Sequence, residues 1–312
     1  MNKNNKIILS VILVVLFYVI FTISSDVYKI TQNFDKMQIN YLFPILGTYV
    51  LVMFVSSVRQ KFILKKLGLK ISTKDSFVLL VAGLSMIITP FGSGLAIKTY
   101  YMKKKYGYEV SKTFPMIIVE RFNDLIIVSS IVVISLLWYF SEIAIIVSTI
   151  SFTILGIFIF ALLNKPIFKK FKKIMCKMPF FKNIFHETVE IDSDVKKLLK
   201  VKTLSVSLIL TGIGVTLEIL VVLFAFNAFN IKLSFLEIAQ IYYTSIIGGA
   251  LSLIPGGVGL TEISFVGLMT EKNVTVNLST SLIIFIRMTT IWFATGLGFI
   301  FSIVFLKRNL KK

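Results

Sequence analysis

The sequence predicts an all-α polytopic membrane protein, with six full spans and two re-entrant half-helix hairpins arranged as an inverted repeat. Three observations predict it. The 312 residues are 56% hydrophobic and 16% charged, with mean hydropathy +0.88, whereas a soluble chain carries about 25% charged residues. The apolar residues come in runs long enough to cross ~30 Å of hydrocarbon as helices. Two more apolar segments are broken by Pro/Gly turns that resemble each other. A soluble enzyme, a secreted disulfide scaffold and a coiled coil are excluded.

The first run, 7–23, follows Lys3 and Lys6. It is longer than the apolar core of a signal peptide and no A-x-A site follows, so it reads as a retained helix. Runs 41–58, 113–139, 143–163, 203–226 and 278–306 complete the six spans. The interrupted segments are 76–97, broken at Thr89-Pro90-Phe91-Gly92-Ser93-Gly94, and 235–269, broken at Ile254-Pro255-Gly256-Gly257-Val258-Gly259. Proline removes a backbone donor and glycine weakens a helix, so each segment reads as two half-helices around an irregular turn.

Charge decides whether these segments cross. The chain has 34 Lys plus Arg against 15 Asp plus Glu, a net charge of +19. With both segments re-entrant, 28 basic residues fall on the side of the N-terminus, the linker 165–202 and the C-terminus; 4 fall opposite, and Arg121 and Arg287 stay in the membrane. With both segments crossing, the division is 13 against 19. The positive-inside rule selects the first arrangement and places both termini and the linker in the cytoplasm, at the plasma membrane. The basic balance is therefore a topology signal, and no nucleic-acid partner is expected. The linker, with 11 lysines and Phe168, Phe171, Phe180 and Phe181, reads either as an amphipathic element on the inner leaflet or as a solvated loop.

The chain reads as one integral membrane domain, 1–312, with repeat A over about 41–139 and repeat B over about 203–306. Pro90-Phe91-Gly92-Ser93-Gly94-Leu95 aligns with Pro255-Gly256-Gly257-Val258-Gly259-Leu260, and an arginine follows each proline, Arg121 after 31 residues and Arg287 after 32. Inverted repeats with broken helices place substrate sites near the bilayer midplane. Cys176 and His186 are the sole residues of their types. No disulfide within the chain, metal site or cofactor is expected, and no Gly-rich phosphate loop is present.

Six ionisable residues fall in spans or hairpins: Glu120, Arg121, Asp124, Glu218, Glu262 and Arg287. Each costs about 2.5–3.5 kcal/mol at the bilayer centre on insertion scales, so each needs a partner or water. Glu120 and Asp124 share a helix face, and Arg121 reaches Asp124 at i+3. Glu262 opens a half-helix, where it caps the helix and pairs with an arginine, or contacts a headgroup. Glu218 stands alone on its helix. Converging arginines would suit a phosphate; internal ion pairs holding the bundle together are the other reading.

The stretch Ile254-Pro255-Gly256-Gly257-Val258-Gly259-Leu260-Thr261-Glu262 resembles the signature of the lysylphosphatidylglycerol synthase transmembrane region family, the flippase-like membrane proteins. Pro90-Phe91-Gly92-Ser93-Gly94 and Glu120-Arg121-Phe122-Asn123-Asp124 resemble its earlier motifs, with Phe91 where a second glycine is frequent. The resemblance covers about residues 7–306. It implies translocation of an anionic or aminoacylated phospholipid, or a polyprenyl-phosphate-linked lipid, across the cytoplasmic membrane. Arg121, Asp124, Glu262, Arg287 and Glu120 would then line the headgroup path. Longer members add a cytoplasmic transferase domain. This sequence ends at Lys312, so no enzyme activity is expected; membrane lipids, a separate lipid-modifying transferase and a second copy of the chain are the partners left open. The rival readings are a secondary carrier for a small anionic or zwitterionic solute, and a non-catalytic membrane partner of a lipid-modifying enzyme of the phosphatidylglycerol lysyltransferase type.

Overall fold

The computed structural model describes residues 26–87, 97–163, 191–252 and 254–309. The run 7–23, the turn residues Pro90, Gly92 and Gly94, and most of the basic linker with Cys176 and His186 lie outside the described residues. Among those described the chain is helical, with no strand.

Helix α1, Val27–Asp35, was not anticipated from hydropathy. The Asp26 carboxylate accepts from Lys29 N at its start, and Phe34 packs edge-on to Phe229 at 5.7 Å. A 3₁₀ turn, Ile39–Tyr41, leads into α2, Leu42–Lys66. Then follow α3, Thr73–Leu84; α4, Ile97–Tyr106; α5, Val110–Leu136; and α6, Glu142–Leu163. The linker ends in α7, Ile191–Leu198, which packs on α5 with Val195 and Leu198 fully buried. Next come α8, Val201–Ala228, and α9, Phe235–Leu251, whose Ser234 and Glu237 form a reciprocal cap. The 3₁₀ turn Pro255–Gly257 separates α9 from α10, Leu260–Glu271. After α11, Val276–Arg287, one π-helical turn, Met288–Trp292, runs into α12, Phe293–Asn309.

Among the described residues, four stretches are long and apolar enough to cross a membrane: Ile39–Lys66, Glu142–Phe160, Val201–Ala228 and Val276–Ile303. At 27 residues α5 is also long, but Glu120, Arg121 and Asp124 interrupt its apolar character. On α6 the exposed residues Ile146, Ile150, Ile154 and Ile157 form a helical stripe with no cover among the described residues, a surface suited to lipid tails.

At the centre, α2 and α8 pack along much of their length, with α5, α9 and α11 against them. The main core draws on Met53, Val81, Val132, Ile219, Val222, Phe226, Tyr243, Phe265 and Ile286, from α2, α3, α5, α8, α9, α10 and α11. Polar ties fix the relative height of the helices. Gln60 Nε2 donates to Ser76 O at 3.0 Å, and Ser76 Oγ donates to Ser57 O at 2.7 Å, joining α2 to α3. Ser302 Oγ donates to Ala82 O at 3.1 Å, joining α12 to α3. There the backbones nearly touch, since a Cβ at Gly298 would lie 2.3 Å from Ser85 N.

The broken segment 235–269 does form two helices, α9 and α10, packed on each other around the glycine turn. Gly256, Gly257 and Gly259 have φ of 66°, 66° and 97°, a region costly for residues with a Cβ. Gly249 is also required, because a Cβ there would lie 1.8 Å from Thr261 Oγ1.

Candidate functional site

Between α2, α3, α5, α8 and α9 lies a cavity of about 320 Å³. Its apolar wall includes Val52, Leu80, Leu84, Val128 and Ile246; its polar wall carries Arg59, Lys98, Arg121, Asp124, Glu218, Tyr242 and Tyr243. Thr290 and Ile291, on the π turn, close one side. A few charged groups in an otherwise apolar concavity is the ordinary make-up of a ligand site.

Asp124 stands between two guanidiniums. Arg59 Nη1 bonds its Oδ1, and Arg121 Nη2 lies 3.0 Å from its Oδ2. Arg59 is 6% exposed and also donates to Thr211 Oγ1 at 2.8 Å, from α8. Arg121 differs: it lines the cavity with its side chain 54% exposed. Asp124 is therefore largely satisfied by Arg59, which leaves Arg121 with donors for a ligand oxygen.

Two further ion pairs are closed. Lys98 Nζ donates to Glu120 Oε2 at 3.2 Å, with both side chains at or below 2% exposure. Gly83 makes room for Lys98: a Cβ there would lie 2.6 Å from Lys98 Cγ. Arg287 Nε lies 3.0 Å from Glu262 Oε1, again fully inside the protein, while Arg287 Nη1 donates to Gly256 O at 3.2 Å. Glu262 Oε2 accepts from Gly259 N at 2.7 Å, so this carboxylate both caps α10 and neutralises Arg287.

The structure thus brings Arg121 and Asp124 into the cavity, seats Glu120 behind Lys98, and keeps Glu262 and Arg287 as a separate pair beside the Pro255–Gly257 turn. The two arginines do not meet in one cavity among the described residues. Three expectations need correction. Arg59 was counted with the cytoplasmic loop because the apolar run ends at Val58; α2 continues to Lys66 and buries it. Lys98 was likewise counted as a loop residue, but it lies in the first turn of α4. Glu218 is not alone: Tyr242 Oη and Tyr243 Oη, from α9, donate to its Oε1 and Oε2 at 3.0 and 3.1 Å. Among the described residues, no group of three His, Cys, Asp or Glu side chains converges to hold a metal ion.

The profile of the lysylphosphatidylglycerol synthase TM region matches residues 7–298. The chain belongs to this family. A UPF0104 membrane protein of Methanocaldococcus jannaschii is 25% identical over 286 residues, covering 84% of each chain. A second UPF0104 membrane protein, of Methanothermobacter thermautotrophicus, is 34% identical over 100 residues, covering 32% of this chain and 30% of its own. Membership in this family makes the chain a membrane protein, and it agrees with helices long enough to span. The motifs around Glu120 and Glu262 that carried the resemblance are the segments forming the cavity's charged wall and the capped turn.

Proposed function

We propose that the chain is a flippase-like translocase for lipids whose headgroup carries a phosphate, acting in the cytoplasmic membrane. One observation carries the reading: Arg121 is half exposed inside a cavity where Arg59, Lys98 and Asp124 are already held in ion pairs, with an apolar wall beside it. A guanidinium with free donors is suited to phosphate oxygens, and a volume of about 320 Å³ suits a headgroup whose tails stay in lipid. The paired groups offer no nucleophile with an adjacent base, so the reading includes binding and passage and no bond-making step.

The architecture we infer is six spans and two re-entrant hairpins in an inverted repeat. Several features support it. The order long, short, short, long runs through α2–α5 and again through α8, α9, α10 and the continuous stretch from α11 through the π turn into α12. At 1.5 Å per residue, the 12 and 10 residues of α3 and α4 and the 12 of α10 fall short of ~30 Å of hydrocarbon. Arg121 follows Val110, the first residue of α5, by eleven residues, and Arg287 follows Val276, the first of α11, by eleven. Gly83 and Gly249 each make room for a first-turn side chain of the next half-helix, Lys98 or Thr261. Each repeat also ties that half-helix to the following long helix by one buried ion pair, with the sign reversed between them. Removing Arg59 and Lys98 from the cytoplasmic tally leaves 26 basic residues against 4, so cytoplasmic termini and linker remain the favoured orientation.

The test is transbilayer movement of fluorescent phosphatidylglycerol in proteoliposomes, read by dithionite quenching, for wild type and Arg121→Ala. Loss of charge-assisted bonds worth about 1.5–3 kcal/mol lowers headgroup affinity about 10- to 100-fold. Movement that is equal in a folded Arg121→Ala protein sinks the proposal. Uptake of a water-soluble anion without lipid movement would favour the small-solute carrier instead.

A further inference from the structure

Among the described residues, the charged side chains of the cavity and of the ion pairs beside it balance, and the balance singles out Glu218. Lys98 is matched by Glu120 and Arg287 by Glu262. Arg59 and Arg121 share one carboxylate, Asp124. Glu218 is the fourth acid against the fourth cation. Among the described residues it is the one acid of this set with no cation within ion-pair distance, its two oxygens being held by the phenols of Tyr242 and Tyr243.

The groups around it can be named element by element. From α2 come Tyr49 and Arg59; from α5, Arg121 and Asp124; from α9, Tyr242 and Tyr243; all line the same cavity. Lys98 reaches that cavity from α4. On α11, Arg287 is bound to Glu262, and Tyr41 of the first 3₁₀ turn lies against Phe224, away from Glu218. With every acid ionised this set is neutral. A monoanionic headgroup entering beside Arg121 then leaves one net negative charge in a poorly solvated space, which is costly. One proton removes the excess. Placed on Asp124, Glu120 or Glu262, that proton would strand a guanidinium or an ammonium. On Glu218 it strands nothing, because a phenol that donates to a carboxylate accepts from the acid after its O–H rotates.

We propose that Glu218 is a proton-binding site that couples headgroup loading to proton uptake, one proton entering with each monoanionic headgroup. The inference rests on the translocase reading and extends it to the energy source: the loaded site is neutral and carries a proton, so lipid movement follows a proton gradient. Proton and headgroup raise each other's affinity, as reciprocal coupling requires.

The experiment is calorimetric titration of the purified full chain in detergent with short-chain phosphatidylglycerol, in buffers of different ionisation enthalpy. The expected result is uptake of about one proton per lipid bound, with affinity falling about tenfold for each pH unit where Glu218 is ionised. Glu218→Gln takes up no proton and loses that pH dependence. Wild-type binding without proton uptake overturns the coupling and leaves the translocase reading standing; proton uptake that persists in Glu218→Gln also overturns it, by moving the proton to another group. Absence of phosphatidylglycerol binding to wild type overturns both. The wild-type measurement decides even if the variant fails to fold.

Discussion

Removing one partner of the Glu262–Arg287 pair is the most informative perturbation of the fold. Both side chains are at or below 3% exposure. Arg287→Met leaves the Glu262 carboxylate buried without its cation, which costs about 3–5 kcal/mol, and it loses the bond to Gly256 O, worth about 1 kcal/mol. Glu262→Gln keeps an acceptor for Gly259 N but strands the guanidinium, again at about 3–5 kcal/mol. The double variant has no unpaired charge. It is therefore expected to be less destabilised than the sum of the singles, by at least about 2 kcal/mol. Equilibrium unfolding in mixed micelles, followed by the fluorescence of Trp292 at the end of the π turn that follows Arg287, measures the cycle. Singles that each cost under about 1 kcal/mol, or a double equal to their sum, would refute the reasoning, because a pair inside the protein must couple.

Two glycines two residues apart on α12 should respond in opposite directions. Gly298→Ala sets a methyl 2.3 Å from Ser85 N and 2.8 Å from its Cα, backbone that must move, at about 1–3 kcal/mol; Gly296→Ala meets nothing within 4 Å and gains about 0.8–1 kcal/mol of helix propensity. The two thermal midpoints, measured in one detergent, check both signs. In the first turn of α3, burial raises the Asp75 pKa, but hydrogen bonds from Lys105, Tyr106 and Ser72 outweigh it and hold the carboxyl below its usual 3.8. A lowered folded value means the stabilisation is present above that value and lost as pH falls through it. Wild type should therefore lose melting temperature more steeply than Asp75→Asn as acid is added; parallel curves would contradict this.

How much of this was legible in the sequence differs from residue to residue. The turn at Pro255–Gly257 was legible because its glycines are demanded by positive φ and by close approach, constraints that act within a few residues. The Arg121–Asp124 contact was legible because i and i+3 meet on any helix. Arg59 was not, because hydropathy stops at the first charge while hydrogen bonding does not. Phe62-Ile63-Leu64, just beyond it, was the available signal that α2 continues. Lys98 follows Pro90 by eight residues, as Glu262 follows Pro255 by seven, so the repeat itself pointed to it. The clasp on Glu218 had no local signal: Tyr242 and Tyr243 belong to another helix, and only packing brings them over.

The π turn at Met288–Trp292 has a consequence for how this protein can be tuned. Each residue advances an α-helix by about 100°, and a π turn accommodates one residue more than the surrounding spiral. The segment before it and the segment after it are thereby out of phase. Arg287 can face Glu262, and Thr290 and Ile291 the cavity, while α12 is set independently so that Gly298 meets Ser85. The last long helix thus behaves as two rotors on one shaft, and a single-residue deletion between them would re-index the far one without altering any side chain it carries.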